Sequence, residues 1–192
     1  MNRGGYWFIL RFMETVMTRD EKENRVLFKG SKFDIELKGV VGRSGERFEK
    51  PYIRHPGAVV LIPETSDGGL ILIENKRFAI EQFLIEVPAG TLHWGEEPLA
   101  AAHRELEEET GWKAGRCIPI LTYYSAPAFT DEVMHVFLAQ DLERGQWSPD
   151  DDEEIRVHIY SASEVETLER EGKIRDGKTL LALSLWRKHR GV

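Results

Sequence analysis

Cysteine is almost missing from this chain of 192 residues. Cys117 stands alone, so no intrachain disulfide can form. A single thiol suits a reducing compartment, and a cytoplasmic location is the expectation. Long hydrophobic runs are missing too. The apolar stretch from Tyr6 to Leu10 is too short to span a bilayer, and no small-residue cleavage site follows it. Positive charge is in deficit: 26 Lys and Arg face 33 Asp and Glu, a net charge of −7. That balance argues against nucleic acid or an anionic membrane as the main partner. His55, His93 and His103 show no ligand spacing, and Cys117 has no mate, so no zinc pattern is present. Internal repeats and low-complexity tracts are absent as well. What remains is 41% hydrophobic and 31% charged, ordinary for a globular protein of one domain with a small extension.

Residues 26–28 and 33–41 alternate around Lys29-Gly30 and read as two strands with a turn. Gly42 to Gly45 turn the chain, and Arg47 to Ile53 return as a third strand. This N-terminal section is lightly apolar and needs a partner surface to be stable. Ala58 to Ile62 is a continuous apolar run, as a fully buried strand requires. Asp67-Gly68-Gly69 marks a turn into a strand from Leu70 to Glu74. Phe83 to Val87, Ile118 to Tyr124, Glu132 to Leu138 and Ile155 to Tyr160 are further strand candidates. Ser163 is the expected cap of a short helix through Leu168. Asp176 is the expected cap of a last helix from Gly177 to His189, whose basic end suits the helix dipole. The pattern is that of a layered α+β domain.

The chemistry concentrates between Gly90 and Trp112, GTLHWGEEPLAAAHRELEEETGW. Pro98 suits a first helical turn, and Gly111 suits a left-handed cap after the last one. Glu105, Glu108 and Glu109 stand at i, i+3 and i+4, so three carboxylates share one helix face. Like charges at that spacing destabilise a helix by a few tenths of a kcal/mol each, roughly. A hard divalent cation, Mg²⁺ or Mn²⁺, would reverse the sign of the effect. A solvated acidic face is the alternative. Glu105 and Glu109, one turn apart, are the main ligand candidates and Glu108 the third. Arg104 and Glu96 suit a bidentate ion pair that holds the loop to the helix.

Gly90, five residues, Glu96, seven residues, Arg104-Glu105-Leu106, one residue, Glu108-Glu109, one residue, Gly111-Trp112: this spacing resembles the Nudix box. Every fixed position is matched, with Trp112 at the closing aliphatic position. RHPGAVVLIP, LIEVPAG and SAPAFTDE are similar to segments of the ADP-ribose pyrophosphatase branch. In the last of these, Ala126 and Ala128 are departures, and the usual glycine is lost. Pro127, 15 residues past Trp112, matches the branch's proline. The resemblance covers roughly residues 25–190.

It implies a mixed sheet sandwiched between helices, an α/β/α Nudix-like fold with a small N-terminal antiparallel β section. It divides the chain into a tail (1–25), a β section at a dimer interface (26–54) and a catalytic domain (55–192). It also implies hydrolysis of ADP-ribose to AMP and ribose 5-phosphate with Mg²⁺ or Mn²⁺, in a homodimer that exchanges its β section. Tyr6, Trp7 and Phe8 are candidates for that interface. The Ala89 carbonyl becomes a backbone metal ligand, and Gly90, Glu96, Arg104 and Gly111 shape the motif. A carboxylate of the acidic run DDDEE becomes the general base, Glu153 or Glu154 first, then Asp152 and Asp151. Glu108 is the remaining catalytic candidate. Arg77 would contact phosphate or adenine, Glu132 the terminal ribose, and Lys50 the ligand of a neighbouring subunit. For these three, an ordinary surface charge is the alternative. GDP-mannose or another nucleotide sugar is the rival substrate, and a nucleotide-sensing module the non-enzymatic rival.

Overall fold

A computed structural model describes residues 24–150 and 153–191. The positions of Tyr6, Trp7, Phe8, Asp151 and Asp152 lie outside that range. The chain divides into two compact units, residues up to His55 with 124–132, and 56–123 with the remainder.

The first unit is an antiparallel meander of β1 (Asn24–Lys29), β2 (Asp34–Val41) and β3 (Arg47–Arg54). A bulge between Val26 and Phe28 breaks the β1–β2 register. Pro51 is tolerated because β3 is an edge strand, where a missing N–H costs little. Strand β1 starts at Asn24, two residues before the alternation becomes visible. Its Asn24 side chain donates to Glu36 at 2.9 Å. Glu36 is buried, and burial alone would raise its pKa. Bonds from Tyr52, Asn24 and Arg54 outweigh that and hold the carboxyl below its usual range. Residues 124–132 dock on β3: Ile53 N–H donates to the Phe129 carbonyl at 2.8 Å, and Asp131 N–H to the Ile53 carbonyl at 3.2 Å. Val26, Phe28, Val41 and Phe48 remain exposed on this sheet.

The second unit holds two sheets and three helices. One sheet has the order β7 (Ala89–Thr91), β4 (Ala58–Pro63), β9 (Val133–Arg144), β8 (Trp112–Tyr124), with β4 and β9 parallel. The other has the order β10 (Ile155–Tyr160), β5 (Leu70–Arg77), β6 (Gln82–Glu86), all antiparallel. Strand β4 explains its own unbroken apolar sequence. Val60 and Ile62 enter one core cluster with Leu183 and Trp186, while Val59 and Leu61 enter another with Ala102 and Leu106. Both faces are therefore covered, which is the sandwich expected.

Helix α1 spans Pro98–Thr110, α2 spans Ala162–Arg170, and α3 spans Gly177–Arg190. Gly111 ends α1 with φ 71°, ψ 23°, the left-handed conformation glycine adopts without strain. Asp176 caps α3 by accepting from Thr179 N–H at 2.9 Å. The cap of α2 is Ser161, not Ser163. The Ser161 hydroxyl accepts from Glu164 N–H, and the Glu164 carboxylate accepts from Ser161 N–H, a reciprocal capping box. No helix of the described residues is long and apolar enough to cross a membrane.

Candidate active site

The site is made where β7 lies against α1. Apolar Ala101, Ala102 and Leu106 bind the helix to the sheet. The heptad-like spacing then turns Glu105 and Glu109 inward with them, and both carboxylates are buried. Glu109 Oε2 accepts from the Ala89 backbone N–H at 2.9 Å. The Glu105 carboxylate sits against Gly90 so closely that a Cβ there would lie 1.8 Å from its Cδ. Gly90 has no left-handed backbone, so its value is purely the space it leaves.

Burial is the main reason both carboxyls resist ionisation. Glu105 is pushed up to about 7, with the charges of Glu108 and Glu153 adding to desolvation and Arg104 opposing it. Glu109 is raised well above the normal range by burial and then by Glu105. Two carboxylates held this way repel one another, and Arg104 and Arg77 offset only part of the cost. Hard oxygen donors, desolvated and mutually repelling, are the donor set a divalent cation satisfies. Among the described residues, however, no three acidic or imidazole side chains already stand as a cage. Arg104 instead bridges two of the carboxylates. Its NH1 donates to Glu105 at 2.7 Å and to Glu108 at 2.9 Å. Its Nε and NH2 grip both oxygens of Glu96, at 3.0 and 2.9 Å. Glu96 also accepts from His93 N–H at 2.8 Å, which closes the turn between β7 and α1.

Arg77, at the end of β5, makes a two-pronged pair with Glu86 at 2.9 and 2.6 Å. Glu86 is completely buried and also bonded by Lys178, which in turn meets Asp176 at 3.0 Å. The charge of Glu109 is felt at Arg77 and helps hold it protonated, behind the Glu86 bonds. The sequence reading passed over Glu86 and Lys178. A carboxylate inside the apolar strand QFLIE was the signal available, since a buried charge demands partners.

The two leading candidates in the acidic run separate. Glu154 is bonded to Lys76 at 3.0 Å and lies 3.9 Å from Arg156. Glu153 instead lies near enough for its charge to raise both Glu105 and Glu109. The segment before it finishes α1. Gly145 N–H donates to the Gly111 carbonyl at 2.9 Å, Ser148 N–H to Glu108 at 3.2 Å, and the Trp147 indole to the Glu109 carbonyl at 3.2 Å. These bonds satisfy acceptors that a helix end leaves open. Lys50 and Glu132 belong to the first unit. Lys50 is exposed opposite Lys38 in the β2–β3 ladder. Glu132 is half-buried, 3.6 Å from the His55 ring.

A sandwich whose central helix brings a row of carboxylates under a glycine strand defines a class of hydrolase. Residues 53–183 match the NUDIX domain, and the chain belongs to the Nudix family. It is 35% identical over 159 residues to the ADP-ribose pyrophosphatase of Bacillus subtilis (strain 168), covering 82% of this chain and 86% of that one. It is 31% identical to the methanol dehydrogenase activator of Bacillus methanolicus, with the same coverage. The GDP-mannose pyrophosphatase of Salmonella typhimurium is 34% identical over 142 residues, 69% of this chain and 74% of that one. A crystal structure of an ADP compounds hydrolase shares the fold, with a TM-score of 0.70 at 24% identity, covering 91% of this chain and 99% of that one.

Proposed function

We propose that this hydrolase cleaves the diphosphate of a nucleoside diphosphate sugar, ADP-ribose first, to a nucleoside monophosphate and a sugar phosphate. The observation that carries this reading is the pair Glu105 and Glu109, buried side by side against Ala89 and Gly90. Glu105, Glu109, Glu108 and the Ala89 carbonyl would hold Mg²⁺ or Mn²⁺. The ion, when bound, neutralises diphosphate oxygens and makes bound water more acidic. Arg104, which grips both oxygens of Glu96, would hold the turn in place while Glu105 and Glu108 served as ligands. Glu153, whose charge is felt at both Glu105 and Glu109, takes the proton of the attacking water. Arg77, oriented by Glu86, binds phosphate or adenine.

Glu132 binds the distal ribose, and Lys50 serves a neighbouring subunit. The apolar residues left exposed on β1 to β3 support a homodimer built through residues 26–54. The catalytic machinery lies in residues 56–123 and those from Val133 on, and Asn24 and Arg25, expected in the tail, belong to β1. The lone cysteine supports a cytoplasmic setting. The likeness to a GDP-mannose pyrophosphatase keeps that sugar as the second reading.

The test is a panel of nucleotide sugars with Mg²⁺, the products identified by mass. ADP-ribose split to AMP and ribose 5-phosphate ahead of the others is the expected result. GDP-mannose turning over far faster would replace the first substrate with the second. No cleavage of any diphosphate would overturn the reading.

A further inference from the structure

A cavity of about 410 Å³ opens beside the C-terminal end of α1, and none of Glu105, Glu108, Glu109, Arg77 or Glu153 lines it. That volume falls within the range of small-molecule sites. One wall is the face of β10 that presents Ile155, Val157 and Ile159 by simple alternation. The opposite wall is aromatic and cationic. The Arg144 guanidinium lies 4.1 Å from the centre of the Trp112 ring. Trp147 is 54% exposed, yet its ring nitrogen is anchored to α1. Its indole N–H donates to the Glu109 carbonyl, and a Cβ on Gly111 would come within 3.0 Å of the Trp147 Cβ. An exposed indole that is already immobilised offers a stacking surface with little ordering left to do.

Among the described residues, the charges around the cavity do not all find partners. Arg156 is shared with Glu74 at 3.1 Å and Glu154 at 3.9 Å. Lys113 is paired with Glu107 at 3.2 Å. Arg144 has no carboxylate partner among the described residues and stacks on Trp112 instead. A guanidinium left in that state suits a phosphate, and it stands beside a fixed flat ring and an apolar strand face.

We propose that the cavity bounded by Trp112, Arg144, Trp147 and β10 is a second binding site, for a nucleoside monophosphate. The base stacks on Trp147 against Val157 and Ile159, and the phosphate meets Arg144. This goes beyond the diphosphate-cleaving site and does not depend on it, because the test reads binding without turnover.

The full-length protein is titrated with AMP in EDTA, and the indole N–H resonances are followed by NMR. Trp112→Phe and Trp147→Phe assign the two reporters. Trp94 reports on the turn near Glu96, and the buried Trp186 reports on the fold. The expected result is a saturable shift of the Trp112 and Trp147 signals with Trp186 unmoved. Adenosine, ribose 5-phosphate and inorganic phosphate each bind about tenfold more weakly or worse, having lost one half of the recognition. Arg144→Met keeps an aliphatic stem over Trp112 and weakens AMP about tenfold. Ile159→Glu, at the exposed side of the cavity, weakens it as well. AMP that moves only Trp94, or neither reporter, overturns the proposal. So does unchanged affinity in both variants while the Trp186 signal shows them folded. Phosphate alone matching AMP would show an anion site without base recognition, and would overturn it too.

Discussion

Replacing Gly90 by alanine should separate folding from catalysis. The new Cβ would lie 1.8 Å from Glu105 Cδ and 2.0 and 2.2 Å from its two oxygens. Carbon atoms in ordinary contact stand about 3.5–4.0 Å apart, so the carboxylate must retreat by roughly 1.5–2 Å. Strand β7 cannot yield easily, because Gly90 is paired with Val59 of the buried β4. The far end of Glu105 therefore moves. The backbone of residue 90 suits alanine, so stability should fall by about 1–3 kcal/mol, the usual range for overpacking. A displacement of about 1 Å at a reacting site can cost a hundredfold in rate. A kcat reduced by about a hundredfold or more is expected, with the melting transition still cooperative. Initial rates on the best substrate of the nucleotide-sugar panel, alongside a circular dichroism melt, would measure both. Gly95→Ala is the contrast. Its φ of 81° strains any side chain, but nothing lies within 4 Å of the added carbon. It should cost about 1 kcal/mol of stability and leave kcat near wild type. Full activity in Gly90→Ala would refute the claim that this glycine exists to seat Glu105.

Glu109→Gln keeps a carbonyl to accept the Ala89 N–H, so the fold should survive while turnover falls by about a hundredfold or more and the Mg²⁺-induced rise in Tm disappears. In the metal-free protein, Glu105 should make stability fall as pH rises. Its carboxyl titrates near 4.5 unfolded and about 7 folded, so the native state keeps a proton that the unfolded chain gives up. The contribution is whole below pH 4.5 and is lost by pH 7, on the order of 3 kcal/mol. Denaturant titrations in EDTA should show a shallower fall across that window in Glu105→Gln, and an identical slope would dismiss the shift. Ser161→Ala removes the hydroxyl half of the α2 capping box and should cost about 1 kcal/mol, read as a lower Tm, whereas Ser163→Ala should cost markedly less.

The parts of the fold visible in the sequence were those fixed by local rules. Pro98 and Gly111 bracket α1 because a missing N–H and a left-handed residue have few other places to go. The run Ala58–Ile62 announced a strand covered on both faces. Strands β8 and β9 ran longer than their apolar cores suggested. WKAGRC at the start of β8 has no alternation and extends because β9 lies beside it. Ser161 and Ser163 offer the same chemistry, and each has a glutamate three residues on, Glu164 and Glu166, so the local pattern does not choose between them. The site divided in the same way. The helical spacing put three carboxylates on one face without any tertiary information. The Lys76 partner of Glu154 and the Lys178 partner of Glu86 come from far away in the chain. Distances of that kind are written in topology rather than in any window of residues.

The clasp of residues 145–148 on the end of α1 sets the reach of the acidic loop. That loop departs from a point bolted to the very helix it must approach, so only residues 149–154 decide where its carboxylates arrive. Were a carboxylate of this run the base, as proposed, one residue more or fewer would change the arm by up to about 3.5 Å and bring a different acidic side chain to the water. A run of consecutive aspartates and glutamates tolerates such a slip, because whichever position arrives still brings a carboxylate. On that reading, length variation here would retune the chemistry from one descendant to another while α1 stays as it is.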